Sequence, residues 1–225
     1  MTKPQKTNDK KREMKSIILF WDWIRYNEQT LRNLRNEKPA VQKMFIYWLD
    51  KHLHNYCEQL ESILMFPANE NDHTQLVISA SGNPEYFDQV TTLVDNAPKL
   101  RNWKFVAFIQ PSQSIEEMEA GLDKPYVFKD IELKASELKF MPFEYEDVKK
   151  IDMIVYLKGF TVHCTNKNLL HVVFIIMQDI IGEKSLFENV NFVELAQMPS
   201  EESNELIYLY EFQSYLAKFN EHETR

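Results

Sequence analysis

The residue types that could support chemistry are few in this chain, and their spacing works against most of it. His163 and Cys164 are adjacent and His171 follows seven residues later; a thiol becomes a nucleophile when a neighbouring base lowers its pKa. In extended chain His163 and Cys164 point to opposite faces, and Cys164 meets His171 only if the intervening loop folds back. No third, orienting residue suggests itself. The segment "HLHNYC" brings together His52, His54 and Cys57, all of them zinc-ligand types. On a helix His54 is turned about 200° from His52, so these three do not converge on one ion without partners from elsewhere. A core cysteine and a histidine at the edge of an apolar stripe account for them better.

A third candidate is the stretch "SASGNPEYFDQV", Ser79 to Val90, because a strand–glycine–helix junction is where many proteins hold a phosphate. Here Gly82 stands alone. Asn83 fits as the helix N-cap, Pro84 as the first helical residue, and Glu85 and Asp88 sit near the first turn. The Asn83 side chain would occupy a donor that a phosphate needs, and the two carboxylates suit the helix dipole while repelling an anion. This junction reads as a cap. Glu144, Glu146 and Asp147 cluster in a hairpin turn beside Lys149 and Lys150 and read as a solvated loop. With no GxSxG, HExxH, Walker loop or CxxC pair in the sequence, no catalytic, cofactor-binding or metal-binding residue is assigned.

Two tryptophans in "FWDW" are a different matter. Trp21 and Trp23 are two apart on a helix and face nearly opposite ways. Trp21 joins the core stripe. Trp23 lies near Asn27 on the polar side; it packs on the second helix or it belongs to an interface, where tryptophan is enriched. Trp23 is therefore the one candidate partner-binding residue.

These residues must be carried by a compact chain. At 225 residues, 44% of them hydrophobic and 13% aromatic, it can bury one sizeable core or two small ones. Only 4 glycines and 9 prolines leave little material for glycine-rich nucleotide loops or long linkers. Formal charge is −8, and residues 1–15 alone carry +4 (Lys3, Lys6, Lys10, Lys11, Arg12 and Lys15 against Asp9 and Glu13), which leaves −12 for the remainder. Such a body repels nucleic acid and anionic membranes, and the polar 1–15 segment reads as a disordered basic tail. Cys57 and Cys164 cannot make a disulfide framework of the secreted type, and no apolar run approaches the roughly 20 residues that span a bilayer. A cytoplasmic protein is expected, with no cofactor.

Periodicity gives the elements. Ile17, Phe20, Trp21, Ile24, Leu31 and Leu34 recur at helical spacing, and after Pro39 so do Val41, Met44, Phe45, Trp48, Leu49, His52, Leu53, Tyr56, Cys57 and Leu60. Residues 16–61 thus read as a helical hairpin. In 62–110, "SILMFPA" and "TQLVISAS" read as strands, Pro84 to about Asn96 as a helix and "WKFVAFI" as a strand. Residues 111–136 form a polar connection with a short strand at Tyr126 to Phe128. In 137–225 the order repeats: strands "LKFMPFEYE" and "IDMIVYL", a helix in "NKNLLHVVFIIMQDII" ending at Gly182, a strand "NVNFVELA", and a short strand or turn with a last small helix in "YLYEFQSYLAKF". The fold class is α+β, with duplicated ββαβ units building antiparallel-rich sheets. The 166–181 helix is apolar nearly all round and demands cover, from the N-terminal hairpin or from a partner subunit.

"FWDW" opening a helix, "LVISASGN" before a helix ending in "NAPKL", then "WKFVAFIQP" and a later helix ending in "DIIGE" together resemble an uncharacterised bacterial protein family, over roughly Phe20 to Phe219. That resemblance carries no functional residues onto these positions. The segment "LVISASGN … WKFVAF" is also similar to domains related to regulators that inhibit a ribonuclease by binding it, which implies a ferredoxin-like α+β sandwich acting by protein contact. The expected function is a non-catalytic cytoplasmic protein-binding or regulatory module. Two alternatives stand beside it: a hydrolase with a site between the halves using His163, Cys164 or His171, and a self-associating protein such as a homodimer.

Overall fold

The computed structural model describes residues 4–69, 72–143, 150–201 and 205–223, and the chain divides into two compact units, residues 1–109 and 110–225.

The first unit begins with α1 (Pro4–Arg32). The helix begins within the 1–15 segment that the sequence reads as a basic tail. The segment has no glycine and is rich in the straight-chain residues Lys, Arg, Gln, Glu and Met that favour helix, and the helix opens on a proline suited to a helix start. A single 3-10 turn at Leu34–Asn36 leads to α2 (Pro39–His54), whose first residue is the proline expected to separate the two helices. Strand β1 (Glu61–Met65) then runs antiparallel to β2 (Thr74–Ser79), with Ile63 opposite Val77. Helix α3 (Phe87–Asp95) carries the chain across to β3 (Trp103–Ala107), which lies parallel to β2 with Phe105 beside Leu76.

Facing residues of paired strands share a side of the sheet, so Ser62, Leu64, Leu76, Ile78, Trp103 and Phe105 point one way. Both N-terminal helices meet that side. Trp21 of α1 lies edge-on to Phe105, ring centroids 4.7 Å apart, and Asp50 of α2 accepts a hydrogen bond from Ser62 Oγ at 3.1 Å. Trp21 is 2% exposed, and its indole N–H donates to the Leu93 carbonyl at 2.9 Å. That carbonyl is in the last turn of α3, where intrahelical donors run out, so Trp21 both fills the core and closes a neighbouring helix.

The second unit opens with α4 (Ile115–Glu119), capped by Ser114 Oγ accepting from the Glu117 N–H at 3.2 Å, and a small hairpin of β4 (Tyr126–Phe128) and β5 (Ile131–Leu133). Its main sheet contains β6 (Lys139–Phe143) antiparallel to β7 (Ile151–Leu157). After the short α5 (Phe160–His163), α6 (Leu169–Ile181) and α7 (Glu183–Asn189), strand β8 (Val190–Gln197) returns parallel to β7, and β9 (Ile207–Tyr208) pairs with the free side of β6 before α8 (Phe212–Glu223). The β-branched run "HVVFIIM" is helical, and Gly182 ends it at φ 84° and ψ 153°, backbone that side-chain-bearing residues avoid.

The α+β class and the repeated strand–strand–helix–strand order hold in both units. The sheets are antiparallel-rich as expected, with four antiparallel strand pairs among the described residues; β2 with β3 and β7 with β8 are parallel, because a strand that returns after a crossover helix arrives in the same direction. Elements of 110–225 pack against α6: Phe174 stacks on Phe187 of α7 at 6.0 Å, His171 meets Phe128 of β4, and Val173, Ile176 and Met177 enter a core shared with Phe140, Val155, Phe212 and Leu216. The Glu144, Glu146 and Asp147 cluster lies outside the described residues. Among the described residues no helix is long and apolar enough to cross a membrane.

Candidate functional site

The apolar positions of α2 reach half-way round the helix. At 100° per residue, Met44, Trp48, Val41, His52, Phe45, Leu49 and Leu53 cover an arc of about 180°, broader than the seam one helix and one strand can bury. Leu49 and Leu53 occupy the buried edge. Met44 and Trp48 fall at the outer edge and stay on the surface, Trp48 at 46% exposure. The stripe expected from sequence therefore splits into a core side and an exposed side.

Helix α1 extends the exposed side. Leu19, Trp23 and Tyr26 follow one another by four and three residues along it; Leu19 is exposed and Tyr26 is 90% exposed. Trp23 packs on the second helix and keeps part of its surface open. Its ring stacks on His52 at 5.0 Å with 23° between planes and tilts against Phe45 at 6.5 Å. Trp48 also approaches His52, tilted at 6.3 Å, and Tyr47 lies edge-on to Trp48 at 5.4 Å. Burial lowers the His52 pKa below its ordinary value near 6.5, so at neutral pH the imidazole joins the ladder as an uncharged ring. Asn27, expected as Trp23's polar neighbour, donates from Nδ2 to the Trp23 carbonyl at 2.9 Å. What results is a partly exposed aromatic face with stacked, mutually supporting rings.

The other candidates separate. His54 leaves the ladder and contacts the Leu60 carbonyl through Nε2 at 3.2 Å, and the Cys57 thiol donates to Gln59 Oε1 at 3.6 Å. His52, His54 and Cys57 thus have three different environments, and among the described residues no group of three or more His, Cys, Asp or Glu is placed to hold a metal. Asn83 Oδ1 accepts from the Glu85 N–H at 3.1 Å, the cap expected from sequence. One 3-10 turn, Pro84–Tyr86, intervenes before α3. Ser81 and Gly82 both have positive φ, and the Asn83 N–H closes the turn on the Ala80 carbonyl at 3.0 Å. This turn forms one wall of an open cleft of about 640 Å³ whose other walls include Asp50, His54, Glu58, Glu61 and Ser62. Three carboxylates around it repel an anion, so the glycine junction lines a depression unsuited to phosphate.

In the second unit, Cys164 is exposed and its thiol donates to the Thr161 carbonyl at 3.4 Å. His171 is exposed beside the Phe128 ring at 6.2 Å. No hydrogen bond joins Cys164 to His163 or His171 among the described residues. Sequence reasoning missed a part-buried polar tie here: the Tyr126 hydroxyl donates to Asp179 Oδ2 at 2.8 Å and accepts from Gln113 Nε2 at 2.7 Å. Burial first, and then the Asp179 carboxylate, push the Tyr126 pKa well above its ordinary value. With the hydroxyl satisfied as donor and acceptor, the tie holds the 110–128 segment against α6.

Met44 and Trp48 were also unforeseen as surface residues. The signal was present in the width of the stripe, since an apolar arc of half a turn exceeds the contact available in a two-helix hairpin. No family model matches the chain, and no curated protein or solved structure matches it.

Proposed function

We propose that the protein is a non-catalytic binding module of the cytoplasm, and that another protein docks on the outer face of the α1–α2 hairpin with Trp23 and Trp48 as anchors. The observation that carries this reading is the continuation of the α2 apolar stripe onto the surface, where Met44 and Trp48 join Leu19, Trp23 and Tyr26. Contiguous exposed apolar patches on soluble domains mark interaction surfaces, and tryptophan and tyrosine carry a disproportionate share of interface energy. The rings also lose little entropy on binding, because stacking against His52 and Phe45 already restricts Trp23. Both cysteines are free, which suits a reducing compartment.

The test is affinity capture from the native cytoplasm with the unmodified protein and with the double variant Trp23→Ala/Trp48→Ala, each shown to be folded by far-UV circular dichroism. A partner recovered with the first and lost with the second is the expected result. Identical sets of captured proteins would remove the hairpin face from the account.

A further inference from the structure

We propose that the segment seated on this face is an acidic amphipathic stretch of a different protein; this rests on the docking reading above and adds the chemistry of the partner. The stripe on α1 does not stop at Leu19. Arg12, Lys15, Leu19, Trp23 and Tyr26 step along the helix by three or four residues, so two exposed cations continue the same line as the apolar positions. On α2, Met44, Trp48 and Lys51 do the same, with Lys51 exposed. The aromatic centre thus has a cationic rim.

Two of the hairpin's carboxylates are already engaged. Asp22 is held by Arg25 at 2.7 Å, and Asp50 accepts from Ser62 on the sheet side of α2. Over the hairpin as a whole, residues 1–54 hold 12 of the chain's 26 Lys and Arg and 6 of its 34 Asp and Glu, a balance of +6, which leaves 14 against 28, or −14, for the remainder. A partner that buries Trp23 and Trp48 must therefore place groups opposite Arg12, Lys15 and Lys51, and carboxylates are the groups that complement them.

Charge also sorts the other occupants. A nucleic acid or an anionic bilayer would answer the same cations, but an extended polyanion reaching past the hairpin meets the rest of the same unit, residues 55–109, where 3 Lys and Arg stand against 7 Asp and Glu, a balance of −4. A second copy joined by a two-fold axis would pair this face with an identical one, residue i against j and j against i, adding a second set of the same cations and no new complementary charge. A short acidic helix, with Leu or Phe at i, i+3, i+4 and i+7, meets neither obstacle.

The probes are two synthetic amphipathic peptides with one apolar pattern, flanked by Glu in the first and Lys in the second, titrated into the full chain. Binding is read by fluorescence anisotropy of a labelled peptide at about 50 mM and about 300 mM salt, either side of the ionic strength where the Debye length is near 10 Å. The Glu peptide is expected to bind at least about tenfold more tightly than the Lys peptide at low salt, with the ratio shrinking at high salt. The charge reversal Lys15→Glu/Lys51→Glu, shown to be folded, should invert the preference, and Trp48→Ala should weaken both peptides. Equal binding of both peptides, abolished by Trp48→Ala, overturns the acidic partner and leaves the docking face standing. Saturable binding of neither peptide, or tighter binding of a single-stranded oligonucleotide or of phosphatidylserine vesicles, also overturns it. So does light scattering that finds a dimer lost in Trp48→Ala.

Discussion

Trp21 and Trp23 stand two residues apart in one helix, and the structure assigns them opposite consequences. Truncating Trp21 to alanine removes a ring that is 2% exposed and wedged between Phe20 and Phe105 at 4.8 and 4.7 Å. Loss of a large buried aromatic costs about 3–5 kcal/mol. The Leu93 carbonyl also loses its donor, and a buried acceptor left unpaired adds about 1–3 kcal/mol. Trp23→Ala removes a partly exposed ring and one stack on His52, for which about 1 kcal/mol is the appropriate scale. Trp21→Phe isolates the hydrogen bond, because it keeps most of the buried ring; about 1–2 kcal/mol is expected. Urea denaturation followed by far-UV circular dichroism measures all three, without relying on the fluorescence of the residues being changed. The expected order of stability is unmodified protein, Trp23→Ala and Trp21→Phe close together, then Trp21→Ala far below. If Trp23→Ala were as damaging as Trp21→Ala, Trp23 would be a core residue and its role as a surface anchor would fall.

Three further consequences concern the scaffold. Asn83→Ala should lower stability by about 1 kcal/mol through loss of the cap on Glu85, while Asn83→Asp, which keeps the acceptor, should change it little; thermal melts of the two variants decide. Tyr126→Phe strips a hydrogen bond from Asp179 and another from Gln113, and should destabilise the chain by about 1–3 kcal/mol in denaturant titrations, with no effect if the tie is incidental. His52 is held below its ordinary pKa by burial, so the native state resists its protonation. Its share of stability is then present above about pH 6.5 and is lost as pH falls below that value. Comparing unfolding at about pH 7.5 and pH 5.5, His52→Gln should show a smaller loss than the unmodified protein; an unchanged loss assigns the acid sensitivity elsewhere.

Much of the scaffold was legible because local rules and tertiary structure agree there. Alternation and turn residues located β7 at Ile151–Leu157 and β2 to within a residue or two of its observed end, and the Asn83–Pro84 pair announced its own cap. The helix at 169–181 was legible from its length and from Gly182 in spite of its β-branched content. Elements too short to show a period were missed: α4, α5 and α7, and β5, whose three residues pair only with β4. The helical start at Pro4 was missed because polar composition says nothing against helix when glycine is absent. For the candidate site, spacing separated Trp23 from Trp21 correctly in kind, since one is core and the other packs on α2 with part of its ring open. The exposure of Met44 and Trp48 was hidden, because an apolar arc on a helix does not say how much of itself a neighbour will cover.

The central claim is that the hairpin's outer face is where another protein sits, and site-specific photo-crosslinking in the native cytoplasm asks this most directly. A photoreactive phenylalanine analogue is placed at Tyr47, whose ring lies against Trp48, or at Phe192 on β8 as a control. The two positions are 58% and 57% exposed, so chance encounters reach them equally. The account predicts a discrete crosslinked protein from position 47, lost when Trp23→Ala and Trp48→Ala are added, and only diffuse background from position 192. Equal yields from the two positions, or a discrete adduct from 192 alone, would contradict it.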